Sequence, residues 1–186
     1  MVDPMVLPAD LPEPADDGAC DHLPGTSLPS LALLATDGSV VELAALGGRT
    51  IVYAYPRTGR PGEASLVEDW DLIPGARGCT PEACGFRDHH DELAALGARV
   101  FGLSTQDSGY QAEFAARLAL PFPVLSDERL ELTRALRLPT FEVAGETLIK
   151  RLTMVVLDGT VEHVFYPVFP PDRHAAEVLA WLALQR

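Results

Sequence analysis

Residues 51–55 read Ile51-Val52-Tyr53-Ala54-Tyr55, an unbroken apolar run closed by Pro56. So short a run, with no polar alternation, predicts a strand covered on both faces. Arg99–Ser104 predicts a second central strand. Upstream, Leu31–Ala35 and Val40–Leu43 flank Thr36-Asp37-Gly38-Ser39, a turn between two short strands. Downstream, Thr80-Pro81-Glu82 predicts a helix start, with Thr80 as cap and Pro81 at the first helical position. That helix runs to about Leu96 and stops at Gly97. Residues 107–119 predict a helix with Tyr110, Phe114 and Leu118 on one face. Phe122–Leu125 predicts a strand and Arg129–Arg137 a short helix. Ile149–Leu157 and Val161–Tyr166, joined by Asp158-Gly159, predict a hairpin. After Pro170-Pro171, Asp172 caps a last helix with Ala175, Val178, Leu179 and Leu182 at helical spacing. The order β-β-β-α-β-α-β-α-β-β-α predicts an α/β domain over residues 29–186, a mixed sheet flanked by helices.

Residues 1–28 differ from this body. They hold five prolines and the acids Asp3, Asp10, Glu13, Asp16, Asp17 and Asp21, with no Lys or Arg. The composition predicts an acidic, extended leader that buries little. The whole chain of 186 residues is 47% hydrophobic and 22% charged, enough for one full core. Its net charge of −13 disfavours nucleic acid and anionic membrane surfaces, because binding phosphate needs clustered cations. No apolar run approaches the ~20 residues that span a bilayer. The N-terminus has neither a basic n-region nor an apolar h-region, so no secretory signal is expected. Three cysteines are too few for a disulfide scaffold, which points to a reducing cytoplasm.

The candidate chemistry lies in Gly78-Cys79-Thr80-Pro81-Glu82-Ala83-Cys84. Cys79 sits at a predicted helix start, where free N–H groups and the helix dipole favour an anion. Its thiol is therefore expected below the ordinary pKa of ~8.5. Deprotonation by itself raises the thiolate fraction by at most ~30-fold, about 2 kcal/mol. A catalyst also needs donors for the leaving oxygen, so a distant cation is required. Cys84 lies five residues on. On one helix the two cysteines differ by about 140° and ~7.5 Å, too far to bridge unless the first turn unwinds. His89 and His90 follow, but helical geometry spreads these groups too widely for a common metal, so no metal or other cofactor is implied. The Gly- and Pro-rich residues 57–78 predict a long loop, in which Trp70 caps the site or packs the loop down.

These residues resemble the peroxiredoxins, specifically the Q-type branch related to bacterioferritin comigratory protein. The resemblance covers residues 29–186. It rests on Tyr55-Pro56, on Gly78–Asp88 with both cysteines, and on Lys150–Gly159. It implies a thioredoxin-like fold and thiol-dependent reduction of hydrogen peroxide or organic hydroperoxides. It further implies Cys79 as the peroxidatic cysteine, Cys84 as the resolving one, and Arg151 as the distant cation. The reductant would be thioredoxin or another dithiol, and the chain a monomer or homodimer. The family motif runs Pro, three residues, Thr, two residues, Cys. Here Pro56 is present, Ala76 holds the Thr position, and 22 residues separate Pro56 from Cys79 where the motif has six. Thr58 is the residue that could fold back to substitute. A second class remains open: Leu138-Pro139-Thr140-Phe141 is similar to the proline segment of thioredoxin-like disulfide reductases. The Cys-x4-Cys spacing differs from the Cys-x-x-Cys of that chemistry.

Overall fold

The structure, a computed structural model, describes residues 7–185. A seven-stranded sheet forms its centre. The strands are β1 (Ala32–Ala35), β2 (Val40–Glu42), β3 (Arg49–Ala54), β4 (Ala98–Ser104), β5 (Val124–Ser126), β8 (Leu152–Leu157) and β9 (Thr160–Phe165). They lie in the order β2-β1-β5-β4-β3-β8-β9. The pairs β3–β4 and β4–β5 are parallel, and the remaining pairs are antiparallel. The run at 51–55 is thus central: Ile51 pairs with Val100 on one side and Val155 on the other.

Alternation along β3 divides the core in two. Ile51, Tyr53 and Tyr55 face a layer built by α1 (Cys79–Asp88), α2 (His90–Ala95), α3 (Ser108–Arg117) and α5 (His174–Ala183), including Phe86, Leu93, Phe114 and Val178. Val52 and Ala54 face the opposite layer, where α4 (Glu131–Leu136) contributes Leu132 and Leu136. That layer also contains Cys20, Leu23 and Leu28. The stretch 20–28 therefore departs from the expectation of little burial. Its backbone runs beside the start of β9: Gly25 N–H donates to Val161, Leu28 N–H to Gly159, and Val161 N–H to Thr26. Acid and proline content hid three apolar side chains that cover the sheet where one short helix does not suffice.

Three other elements differ from the sequence expectation. The helix expected from Pro81 to about Leu96 starts two residues earlier, at Cys79, and is broken at His89 into α1 and α2. Its cap is Gly78, with φ +108°, and not Thr80. A Cβ at Gly78 would collide with Pro171 Cγ, so glycine is required there for both conformation and space. The single strand expected over Ile149–Leu157 is interrupted at Lys150-Arg151. A separate hairpin of β6 (Thr140–Val143) and β7 (Glu146–Ile149) precedes the interruption. The last helix starts at His174 after a 3-10 turn over Pro171–Arg173, without a side-chain cap from Asp172.

Candidate active site

The break between β7 and β8 leaves Arg151 outside the strand ladder, and its side chain turns inward to 3% exposure. Its Nη2 donates to Cys79 Sγ at 3.2 Å. The same nitrogen lies 3.3, 3.4 and 3.2 Å from the carbonyls of Gly75, Ala76 and Arg77. Nη1 donates to Glu82 Oε2. Residues 72 positions apart thus meet because β8 lies beside β3, whose end leads into the loop before α1.

Cys79 begins α1 and is 4% exposed. Its thiol reaches the Ala76 carbonyl at 3.7 Å, and the Arg57 N–H donates to the sulfur. Glu82, three residues along the same helix face, is fully buried. Burial pushes the Cys79 thiol up, Arg151 pulls it down, and the Glu82 carboxylate pushes it up again. The net direction is upward, which corrects the expected depression. The helix start and one guanidinium do not offset burial when that guanidinium is shared with an acid. Glu82 is also raised, by burial foremost and against the pull of Arg151. Burial works against the Arg151 cation, but Cys79 and Glu82 outweigh it and hold Arg151 charged. Among the described residues, Glu82 Oε1 and Arg151 Nε have no hydrogen-bond partner.

Cys79 and Thr80 line a cleft of about 1060 Å³ together with Arg57, Thr58, Trp70 and Ala76. Thr58 is among the residues that border this cleft. Its N–H and its hydroxyl both donate to Gln106 Oε1, at 2.8 and 3.1 Å, and Gln106 Nε2 returns a bond to the Thr58 carbonyl. Pro56 is buried, and its carbonyl accepts from Ser104 Oγ at 3.2 Å. It precedes Arg57, whose N–H meets the sulfur. Ala76 supplies only a carbonyl. Trp70 both borders the cleft and packs with Ala76 and Leu148, so it joins the 57–78 loop to the β6–β7 hairpin.

Cys84 lies on the continuous helix α1, and the three cysteines are not joined by disulfides. Cys84 is buried and its thiol is raised, by burial first. Cys20 is pushed up to about 12 by burial, with Asp17, Asp16 and Asp21 adding to it. His89 caps α2 and bonds to Glu92, while His90 packs near Phe122. Pro139 accepts from the Lys150 N–H and does not border the cleft. Val168 and Phe169 border a separate small pocket that Arg151 also touches. The sequence reading missed Glu82, Gln106 and the Arg57 N–H. Only Glu82 carried a signal: an acid one helical turn from Cys79.

Residues 23–179 match the Redoxin family. Peroxiredoxin Bcp of Escherichia coli (strain K12) is 33% identical over 168 residues, covering 85% of this chain and 94% of that protein. The chain belongs to the peroxiredoxin family. Within it, this peroxiredoxin is similar to Peroxiredoxin Q, chloroplastic, of Oryza sativa subsp. japonica, 32% identical over 157 residues and 83% of the chain. The chain spans 64% of that rice protein's length. The crystal structure of peroxidoxin BcpB from Mycobacterium tuberculosis superposes with a TM-score of 0.71 at 28% identity, covering 89% of this chain and 99% of that one. The fold is thioredoxin-like. Among the described residues, no helix is long and apolar enough to cross a membrane.

Proposed function

We propose that the chain is a thiol-dependent peroxidase that reduces hydrogen peroxide or organic hydroperoxides. The observation that carries this reading is the Arg151 guanidinium 3.2 Å from the Cys79 sulfur, at a helix start inside a cleft. One cation there faces two acids, so the ionisation of Glu82 and Cys79 is coupled. A proton resting on Glu82 leaves the Arg151 charge to the sulfur. The thiolate then attacks the terminal oxygen of the hydroperoxide. The O–O bond breaks, sulfur gains the S–OH bond, and the departing alkoxide takes a proton to leave as an alcohol, or as water from hydrogen peroxide. Arg151 and the Arg57 N–H are the donors available to the developing oxyanion. Thr58, held by Gln106 at the border of the same cleft, is the residue that stands in for the missing motif threonine in this reading.

Cys84 is the resolving residue in this reading. Its thiol condenses with the sulfenic acid, forming the Cys79–Cys84 disulfide and releasing water. An external dithiol of the thioredoxin kind, in a reducing cytoplasm, supplies the two electrons that restore both thiols. The family membership supports peroxidase chemistry over the disulfide-reductase alternative, and so does the placement of Pro139 outside the cleft.

The test couples hydroperoxide consumption to a generic dithiol, beside reduction of insulin disulfides. The expected outcome is turnover in the first and none in the second. Cys79→Ser abolishes turnover, Cys84→Ser leaves the first sulfenic step intact, and Cys20→Ser retains activity. Insulin reduction without peroxide consumption selects the reductase class.

A further inference from the structure

The ladder between β3 and β4 stops at the Tyr55 N–H, which donates to the Leu103 carbonyl at 3.0 Å. Pro56 has no N–H to continue it. Beyond that point 22 residues separate Pro56 from Cys79, and so long a connection does not by itself fix the direction of any one N–H. Yet the Arg57 N–H meets the Cys79 sulfur. Side chains at the end of β4 take over from the ladder. Ser104, the last residue of β4, donates from Oγ to the Pro56 carbonyl at 3.2 Å. Two residues on, the Gln106 carboxamide closes on Thr58. Its Oε1 accepts from the Thr58 N–H at 2.8 Å, and its Nε2 donates to the Thr58 carbonyl at 3.0 Å. A residue of a neighbouring strand would exchange the same pair of bonds. The second lone pair of Oε1 takes the Thr58 hydroxyl at 3.1 Å. Both residues that flank Arg57 are thus pinned, and no bond in this set uses Arg57 itself.

Gln106 is itself held. Its N–H donates to Ser104 Oγ at 3.3 Å. Its carbonyl accepts from Gln111 Nε2 at 2.8 Å and from Ser126 Oγ at 2.7 Å. Gln111, on α3, accepts in turn from the Tyr55 hydroxyl at 2.7 Å. Thr58, Ser104, Gln106, Gln111 and Ser126 are all buried, where a polar group without a partner is costly and a fully paired network is rigid. The ends of β3 and β4, strand β5 and helix α3 therefore fix one carboxamide, and that carboxamide reaches Thr58.

We propose that Gln106 is a positioning residue for the peroxide reaction: its carboxamide replaces a strand partner for Thr58 and so holds the Arg57 N–H against the Cys79 sulfur. The held N–H serves twice. It stabilises the thiolate, and it is already in place when negative charge moves to the departing oxygen. A donor fixed beforehand costs no rearrangement during the reaction. The proposal rests on the peroxidase reading for the second effect only. The first is read on the thiol without peroxide, so the two fail separately.

The variant is Gln106→Met, which keeps the length of the side chain and removes its polar atoms. Alkylation of Cys79 by iodoacetamide across pH, read by peptide mass, follows the thiol without any peroxide. Oxidation of the same residue by hydrogen peroxide gives the second rate. Gln106→Met is expected to move the alkylation profile to higher pH. With each rate divided by the thiolate fraction, alkylation changes by no more than about threefold. Oxidation, treated the same way, slows by about 10- to 100-fold, the scale of one misplaced group. Thr133→Val controls for lost stability. It removes a buried hydroxyl bond to Asp127 on α4, in the opposite layer, and is expected to lower the melting temperature while both profiles stay at wild type. In the wild-type protein, the Thr58 amide is expected to exchange at least about a hundredfold more slowly than that of Ala64, exposed in the same loop. Equal exchange at the two amides overturns the proposal whether or not the variants fold. An alkylation profile of Gln106→Met that coincides with wild type overturns it, and so does an equal shift in Thr133→Val. A shifted profile in Gln106→Met alone, with no oxidation by peroxide in any of the proteins, supports the positioning of Arg57 and overturns only the peroxidase reading.

Discussion

Arg151 meets two buried acids, and replacements of its neighbours should move the Cys79 thiol in opposite directions. Glu82 raises that thiol through space, so Glu82→Gln is expected to lower the Cys79 pKa while keeping an oxygen for Arg151 Nη1. Arg151→Met removes the main opposing influence and is expected to raise it further. Because the folded thiol already stands above its ordinary value, thiolate and peroxide attack increase as pH rises through that value. The Glu82→Gln curve lies on the acid side of wild type and the Arg151→Met curve on the alkaline side. Thiolate absorbance against pH measures both. Coincident curves for all three proteins would assign Glu82 and Arg151 a purely structural part. At this scale the two cysteines and the distant arginine were legible, because their residue types announce their chemistry. Gln106 was not, and Glu82 only by its place one helical turn from Cys79: their importance comes from burial, which a polar letter in a sequence conceals.

The elements around the site are built to hold Cys79 at the start of α1 and to let it leave. Gly78 caps α1 without any side-chain bond, so the first turn has little of its own to hold it. Both cysteines lie on α1, not joined to each other and about 140° apart around the axis. A Cys79–Cys84 bond therefore requires the first turn to unwind, and helix ends open at small cost. Adding one equivalent of hydroperoxide is expected to increase amide exchange across residues 79–84 by at least about tenfold, with residues 98–104 of β4 unchanged. A mass-mapped Cys79–Cys84 disulfide with unaltered exchange would refute the unwinding. The central strands were readable in the sequence because β3 and β4 carry the uncharged runs Ile51–Ala54 and Val100–Leu103. The β6–β7 hairpin was not: its turn is Ala144-Gly145, a weaker signal than Asp158-Gly159, and its short strands are only partly buried. The same interruption that splits β7 from β8 frees Arg151 from the ladder, so missing the hairpin also hid how the arginine reaches Cys79.

Across the whole molecule, the acidic N-terminal stretch is tied to the far end of the sheet and not only to its neighbours in sequence. Asp17 accepts from Lys150 Nζ and from Tyr166 hydroxyl, both at 2.8 Å, while Cys20 and Leu23 pack into the core beneath. Lys150 is the residue before Arg151, so this clamp lies one position from the site cation. The hydrogen bonds from Lys150 and Tyr166 lower Asp17 from 3.8 to about 2. A folded-state pKa below the unfolded one adds stability that is fully present above about 3.8 and is lost as pH falls through about 2. Wild type is therefore expected to melt above Asp17→Asn by a constant margin from pH 7 to pH 5, with the margin closing between pH 4 and pH 2. Lys150→Met should remove most of the same margin, and the double variant should lose little beyond either single one, because the two residues act as a pair. Thermal melts of the four proteins at fixed ionic strength measure this. The pair is exposed, so raising salt to 0.5 M is expected to shrink the margin at neutral pH, at a screening length of a few ångströms. A margin that stays flat down to pH 2 would show that Asp17 contributes only its neutral hydrogen bond to Tyr166, and that the charge of Lys150 has no part in holding the N-terminal stretch to the sheet.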